Sequence, residues 1–176
     1  INAPAVPVKR NTALAAVRQE AETKRQEIEN NLDLTANERD VLLGQVDQVL
    51  AAAEQAINQG ARNADAEGKQ TEGTNNIRAI QVLASVRPQA IQAVTEQANT
   101  QRQAINQIQG LTDNERQAAL NQLDQTLAKA IEEIKAADDN EEVANAKTKG
   151  IQDIQAVTAV AKIKNEAIQS VRQVAD

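Results

Sequence analysis

The sequence predicts an all-α protein of tandem three-helix bundles, joined end to end through a shared long helix into an elongated rod. One observation is a repeat: a shift of 77 positions lays residues 14–99 on residues 91–176 without a gap. Another is that apolar side chains recur every three or four residues, as on one face of a helix. The composition agrees, because Ala, Gln, Asn, Glu and Lys are abundant, whereas there are only six Gly and three Pro.

Helix A of the repeat is predicted over about residues 13–30 of the first copy. Its inward-facing residues are expected to be Leu14, Val17, Ala21 and Ile28. The second copy carries an equivalent apolar set, namely Ile91, Val94, Ala98, Ile105 and Ile108.

Helix B begins at a phrase that occurs twice, as LTANER at 34–39 and as LTDNER at 111–116. Thr35 with Glu38, and Thr112 with Glu115, have the spacing of a capping box, in which each residue's side chain satisfies the backbone N–H of the other. The helix is expected to run to about residue 59 or 137. Its apolar stripe is Leu43, Val46, Leu50, Ala53 and Ile57, repeated as Leu120, Leu123, Leu127, Ala130 and Ile134.

Helix C is predicted to start near Asp65 or Asn140 and contains a glycine that recurs, as Gly73 and Gly150. Its apolar seam continues in phase into helix A of the next copy, interrupted only by a basic residue, Arg87 or Lys164. Residues 73–108 would then form one shared helix about 54 Å long. Pro88 is expected to kink it.

The same register predicts how the chain divides into repeats. Residues 1–12 align with the tail of a preceding repeat, 13–87 form repeat 1, 88–164 form repeat 2, and 165–176 begin a following repeat. We therefore expect a segment of a longer array, monomeric, whose partners are neighbouring repeats of the same chain.

The residue types that are missing argue against most catalytic and metal-binding sites. The chain has no His and no Cys, and Ser occurs only at positions 85 and 170. It thus lacks the usual general base, thiolate and imidazole metal ligand. The acidic run DDNEE at 138–142 lacks the ligand spacing of a calcium loop, and Asp138 to Asn140 are predicted to be a turn and helix cap. We expect no enzyme activity, no cofactor and no metal.

Charge and hydropathy limit the partners further. The net charge is −6, whereas a nucleic-acid surface needs a basic stripe and a single-strand binder usually adds aromatic stacking. No run of 18 apolar residues is present to span a membrane. We expect neither a nucleic-acid nor a membrane partner.

Several motifs together resemble a known family. They are LT-x-NER before helix B, the stretch AKTKGIQDI at 146–154 in helix C, and a basic position before the next helix A. The pattern resembles the tandem three-helix stalk repeats of Gram-positive, staphylococcal-type surface proteins, a domain-of-unknown-function family found in staphylococcal surface protein C and the methicillin-resistance-associated surface protein. The resemblance implies an extracellular, secreted position, anchored to the cell wall through parts of the parent outside this segment. It also implies roles in adhesion, biofilm formation and virulence.

Two functions stay open. A structural spacer would hold a distal adhesive domain away from the cell, and the resemblance implies this role. Alternatively, a three-helix module could recognise a host serum or matrix protein. Binding hot spots favour Trp, Tyr and Arg, and the first two are absent here. The spacer is therefore the preferred hypothesis.

Overall fold

The computed structural model describes residues 8–175, and every regular element in that range is an α-helix. The helices are α1 (Val8–Glu29), α2 (Ala36–Gln59), α3 (Asn63–Arg78), α4 (Val86–Gln107), α5 (Asp113–Ala136), α6 (Asn140–Ala156) and α7 (Lys162–Ala175). The predicted all-α class of tandem three-helix bundles is confirmed. Most of the predicted tail at 1–12 lies outside the described residues.

The chain divides into two compact units, a first unit at Ile1–Ala84 and a second unit at Ser85–Asp176. Each has its own aliphatic core. Side chains with no exposed surface include Val17, Ala21, Ile28, Val46, Ile57 and Ile77 in the first unit, and Val94, Ala98, Ile105, Leu123, Ile134 and Ile154 in the second. The two sets occupy equivalent positions of the 77-residue repeat, so each copy builds the same core.

Within each A–B–C set, α1 to α3 in the first unit and α4 to α6 in the second, the helices run up, down and up. In the first unit the starts of α1 and α3 meet, because the Lys9 backbone N–H donates to Asn63 Oδ1 at 3.2 Å. Their ends also meet, because Lys24 Nζ donates to the Ile80 carbonyl at 3.3 Å. Helix α2 runs the other way between two short turns. The chain therefore enters a bundle at one end and leaves it at the other.

The predicted shared helix is wrong. Instead of continuing from residue 73 to 108, α3 ends at Arg78 and α4 begins at Val86. Residues 79–85 between them are not helical, and residues 157–161 separate α6 from α7 in the same way.

Both breaks are extended segments whose alternate side chains face a core. In the first unit Ile80, Val82 and Ala84 pack against the core, whereas the residues between them are exposed. Val157 and Ala159 do the same in the second unit. A period of two is typical of extended chain. Positions 80 and 84 fit both this alternation and the helical seam. The seam alone therefore could not exclude an extended segment.

Pro88 does not kink a helix interior, as the sequence predicted, but is the third residue of α4. In the first turn a backbone N–H has no intrahelical partner, so proline removes no helix bond there. The start of α4 is therefore compatible with proline, and the break in the chain precedes it.

Candidate functional site

The repeated phrases build matching capping boxes at the starts of α2 and α5. Thr35 Oγ1 accepts from the Glu38 backbone N–H at 3.2 Å, and Glu38 Oε2 accepts from the Thr35 N–H at 3.1 Å. For Thr112 and Glu115 the same two distances are 3.2 and 2.9 Å. Two backbone donors that the helix itself leaves without a partner are thus satisfied at each start.

Glu115 also accepts a hydrogen bond from a second helix, and this bond contributes to a lowered pKa of its carboxyl group. Its Oε1 accepts from the backbone N–H of Ile163, in the first turn of α7, at 3.1 Å. Hydrogen bonds from the backbone of Thr112 and then of Ile163 lower the pKa of Glu115 from 4.5 to about 2. A carboxyl group whose folded pKa is depressed stabilises the fold above its unfolded pKa and loses this effect as pH falls.

We expect Glu115→Gln to melt at a lower temperature than the wild type at about pH 7, with a difference that shrinks below pH 4.5 and closes near pH 2. Far-ultraviolet circular dichroism is the appropriate measurement, since the chain has no aromatic fluorophore. Glu132→Gln, on the exposed face of α5, controls for the loss of one charge. A difference that is constant across this pH range would contradict the assignment.

The arginine that ends each phrase contacts backbone carbonyls that precede its own helix, a role that the sequence did not suggest. Arg39 Nη2 lies 3.5 Å from the Leu34 carbonyl. The Arg116 guanidinium donates at 2.6–3.1 Å to three carbonyls at the end of α4, those of Ile105, Asn106 and Ile108. A cation there offsets the negative end of the helix dipole. The only indication of this role in the sequence is that Arg follows Glu in both copies of the phrase.

A second arginine, buried at the start of helix A, binds the end of helix B. Arg87 is 6% exposed, and its Nε donates to the Ile134 carbonyl at 3.2 Å while Nη2 donates to that of Ala137. At the equivalent position Arg10 Nη2 donates to the Gly60 carbonyl at 2.7 Å. The interruption that the sequence placed in the apolar seam is therefore a tether between two helices.

The end of helix C is held in a third way. Lys24 Nζ binds the Ile80 carbonyl in the first unit, and Gln101 Nε2 binds the equivalent Val157 carbonyl at 2.6 Å in the second. In the second unit a side chain from another helix thus meets the ends of α4, α5 and α6. These side chains supply hydrogen-bond donors at the ends of helices, where the backbone N–H groups of a further helical turn are missing.

Gly73 and Gly150 lie where helix C approaches its neighbours closely. A Cβ at Gly150 would stand 2.7 Å from Ala130 Cβ and 3.2 Å from Val94 Cγ1. At Gly73 it would stand 2.6 Å from Ala53 Cβ. Any larger residue must push the helices apart, which gives the recurrent glycine a packing role.

The predicted turn and helix cap at Asp138 to Asn140 is present, with Asp139 as the N-cap of α6, which begins at Asn140. Asp139 Oδ1 accepts from the Glu142 backbone N–H at 2.8 Å and so caps α6. Within residues 8–175 no group of three or more metal-ligating side chains comes together. No helix in the same range is both long enough and apolar enough to cross a membrane.

A match to a protein-family model identifies the family of the repeat. The model described as Domain of Unknown Function (DUF1542) matches residues 9–85 and again residues 86–162. The chain belongs to this family. The resemblance to tandem staphylococcal repeats is confirmed, and each DUF1542 match contains one A–B–C set of helices.

Curated relatives of these DUF1542 repeats are much longer staphylococcal proteins. "Extracellular matrix-binding protein EbhA" of Staphylococcus aureus strain Mu3 is 28% identical over 141 residues, which is 80% of this chain and 2% of that protein. "Extracellular matrix-binding protein ebh" of strain JH9 is also 28% identical over 141 residues, covering 80% of this chain and 1% of that protein. The chain thus spans one to two per cent of these relatives. Their names describe binding rather than catalysis. No solved structure matches the chain.

Proposed function

We propose that this chain is a spacer segment in the stalk of a bacterial cell-wall-anchored surface protein, projecting a distal adhesive domain during adhesion, aggregation or biofilm formation. The observation that supports it most directly is the up-down-up order of the helices within each unit. Because a chain that passes through such a bundle leaves at the opposite end, each added repeat can carry it forward.

Helix length sets the size of that advance. Helices α1, α2, α4 and α5 have 22 to 24 residues. At 1.5 Å per residue each bundle is about 35 Å long. Each further repeat would lengthen the stalk by about one bundle, as in other one-dimensional arrays. We also propose that the segments before and after the two repeats, predicted at 1–12 and 165–176, belong to neighbouring repeats.

We expect small-angle scattering to give a radius of gyration of about 25 Å for the monomer, the value for a stalk in which two bundles and the start of a third would follow end to end. A compact chain of this length would give about 16 Å. A concentration series is the control, since association would raise the value without any stalk. A value near 16 Å would reject the spacer.

The alternative function is recognition of a host serum or matrix protein. It is favoured by the name of the curated relatives, which describes those proteins as extracellular matrix-binding. Immobilised serum and matrix proteins can be tested against wild-type chain, Thr35→Ala and Thr112→Ala below their melting temperatures. We expect no saturable binding. If the wild type binds a partner and Thr112→Ala loses this binding while it is still folded, the turn between helices A and B would instead be identified as a binding surface.

A further inference from the structure

Helix α7 is attached to the second unit only through its start. Every described side chain from Lys162 to Val174 is exposed, and within residues 8–175 the helix forms no extended packing interface with α4, α5 or α6. Its start nevertheless lies against the turn between α4 and α5. A Cβ on Gly110 would contact Ala161 Cβ at 3.6 Å, and the Ile163 N–H reaches Glu115.

Glu115 divides its two carboxylate oxygens between two helices. Oε2 accepts from the backbone N–H and from the hydroxyl of Thr112, both at 2.9 Å, at the start of α5. Oε1 accepts from the Ile163 N–H at 3.1 Å, at the start of α7. Helix N-termini present N–H groups without partners and a partial positive charge. One anion therefore satisfies two such termini at once.

The register of the repeat shows what α7 is. Residues 162–175 stand 77 positions after residues 85–98, which include the first half of α4. Ile168 and Val171 of α7 correspond to Ile91 and Val94 of α4. In α4, Val94 is fully buried and Ile91 packs against the same core, whereas both α7 counterparts are exposed. Helix α7 is thus helix A of a further copy, and the contact of Glu115 with Ile163 joins one copy to the next.

We propose that the turn between α4 and α5 is the docking surface for α7, the first helix of the following repeat, with Glu115 as the residue that caps and positions that helix. The inference rests on the proposed array, but it concerns how two repeats are joined and not what the array projects. It assigns the glutamate of the repeated phrase a second role, beyond its own capping box.

Carbon-13 chemical shifts of the full chain test this proposal, because Cα secondary shifts over residues 166–173 report the helicity of α7. A helix of 14 residues without support is only marginally stable in water. We expect Glu115→Ala to lower those shifts by about half or more while α4, α5 and α6 keep theirs. Thr112→Ala is the matched control: it removes the cap of α5 but leaves Glu115 Oε1 for Ile163, so α7 should keep its shifts.

A substitution of Ile163, the residue that donates to Glu115, tests whether the loss of helicity comes from this hydrogen bond. Ile163→Pro removes the N–H donor at a first-turn position that tolerates proline, outside the three-helix core. It should lower the helicity of α7 as Glu115→Ala does, and the double variant should lose no more than either single one. Unchanged α7 shifts in Glu115→Ala, or an equal loss in Thr112→Ala, would overturn the proposal. Scattering from the wild type tests the stalk separately, so either idea can fail alone.

Discussion

Arg87→Met is expected to destabilise the second unit by about 2–4 kcal/mol, because two buried carbonyls lose their hydrogen bonds to a charged donor. The guanidinium donates to the Ile134 and Ala137 carbonyls at the end of α5, and the side chain is 6% exposed. Methionine is the informative replacement, since it keeps an aliphatic stem to pack and removes only the donors.

Thermal unfolding by circular dichroism should show this loss as a fall of about 10–20 °C in the melting temperature of the second unit. Arg102→Met is the matched control in the same helix. Arg102 pairs with Asp124 at 2.5 Å, but both side chains are more than a third exposed, so we expect less than about 1 kcal/mol. Arg10→Met, which removes a bond to one carbonyl instead of two, should be intermediate. If Arg87→Met melts with the wild type, the buried guanidinium does not hold α5.

Gly150→Ala is expected to destabilise the second unit by about 1–3 kcal/mol, although alanine is the better helix former by about 1 kcal/mol. The added Cβ would stand 2.7 Å from Ala130 Cβ, a distance that forces α5 and α6 apart. Here the cost of overpacking exceeds the gain in helix propensity.

Gly68→Ala separates these two effects. It lies within α3, and nothing stands within 4 Å of the Cβ that it would acquire, so we expect a gain of about 0.5–1 kcal/mol from propensity alone. The double variant Gly150→Ala, Ala130→Gly removes the methyl group that the new Cβ meets and should recover part of the loss. Stabilisation by Gly150→Ala, measured in the same melting experiment, would show that the helices can move apart without cost.

The repeat, its three helices and the starts of α2 and α5 could be predicted because each is a local pattern. Thr112 and Glu115 stand three residues apart, which is the distance that a first helical turn brings together. The buried residues Val46, Ala53 and Ile57 keep to one helical face whatever surrounds them. The recurrence of Gly150 was also visible in the sequence, although the atoms that its missing Cβ would meet were not.

The sequence by itself determined the period, the helix class, the capping boxes and the composition of the core, since these depend on spacings of a few residues within one element. Only the tertiary structure decided where helix C ends and what the basic residue after it binds. Ile80 and Ala84 fit a helical seam and an extended chain equally well. The bond from Lys24 to the Ile80 carbonyl spans 56 positions, and that from Arg87 to the Ala137 carbonyl spans 50. Because the partners of these side chains are backbone carbonyls, which every residue carries, no residue type in the sequence marks them.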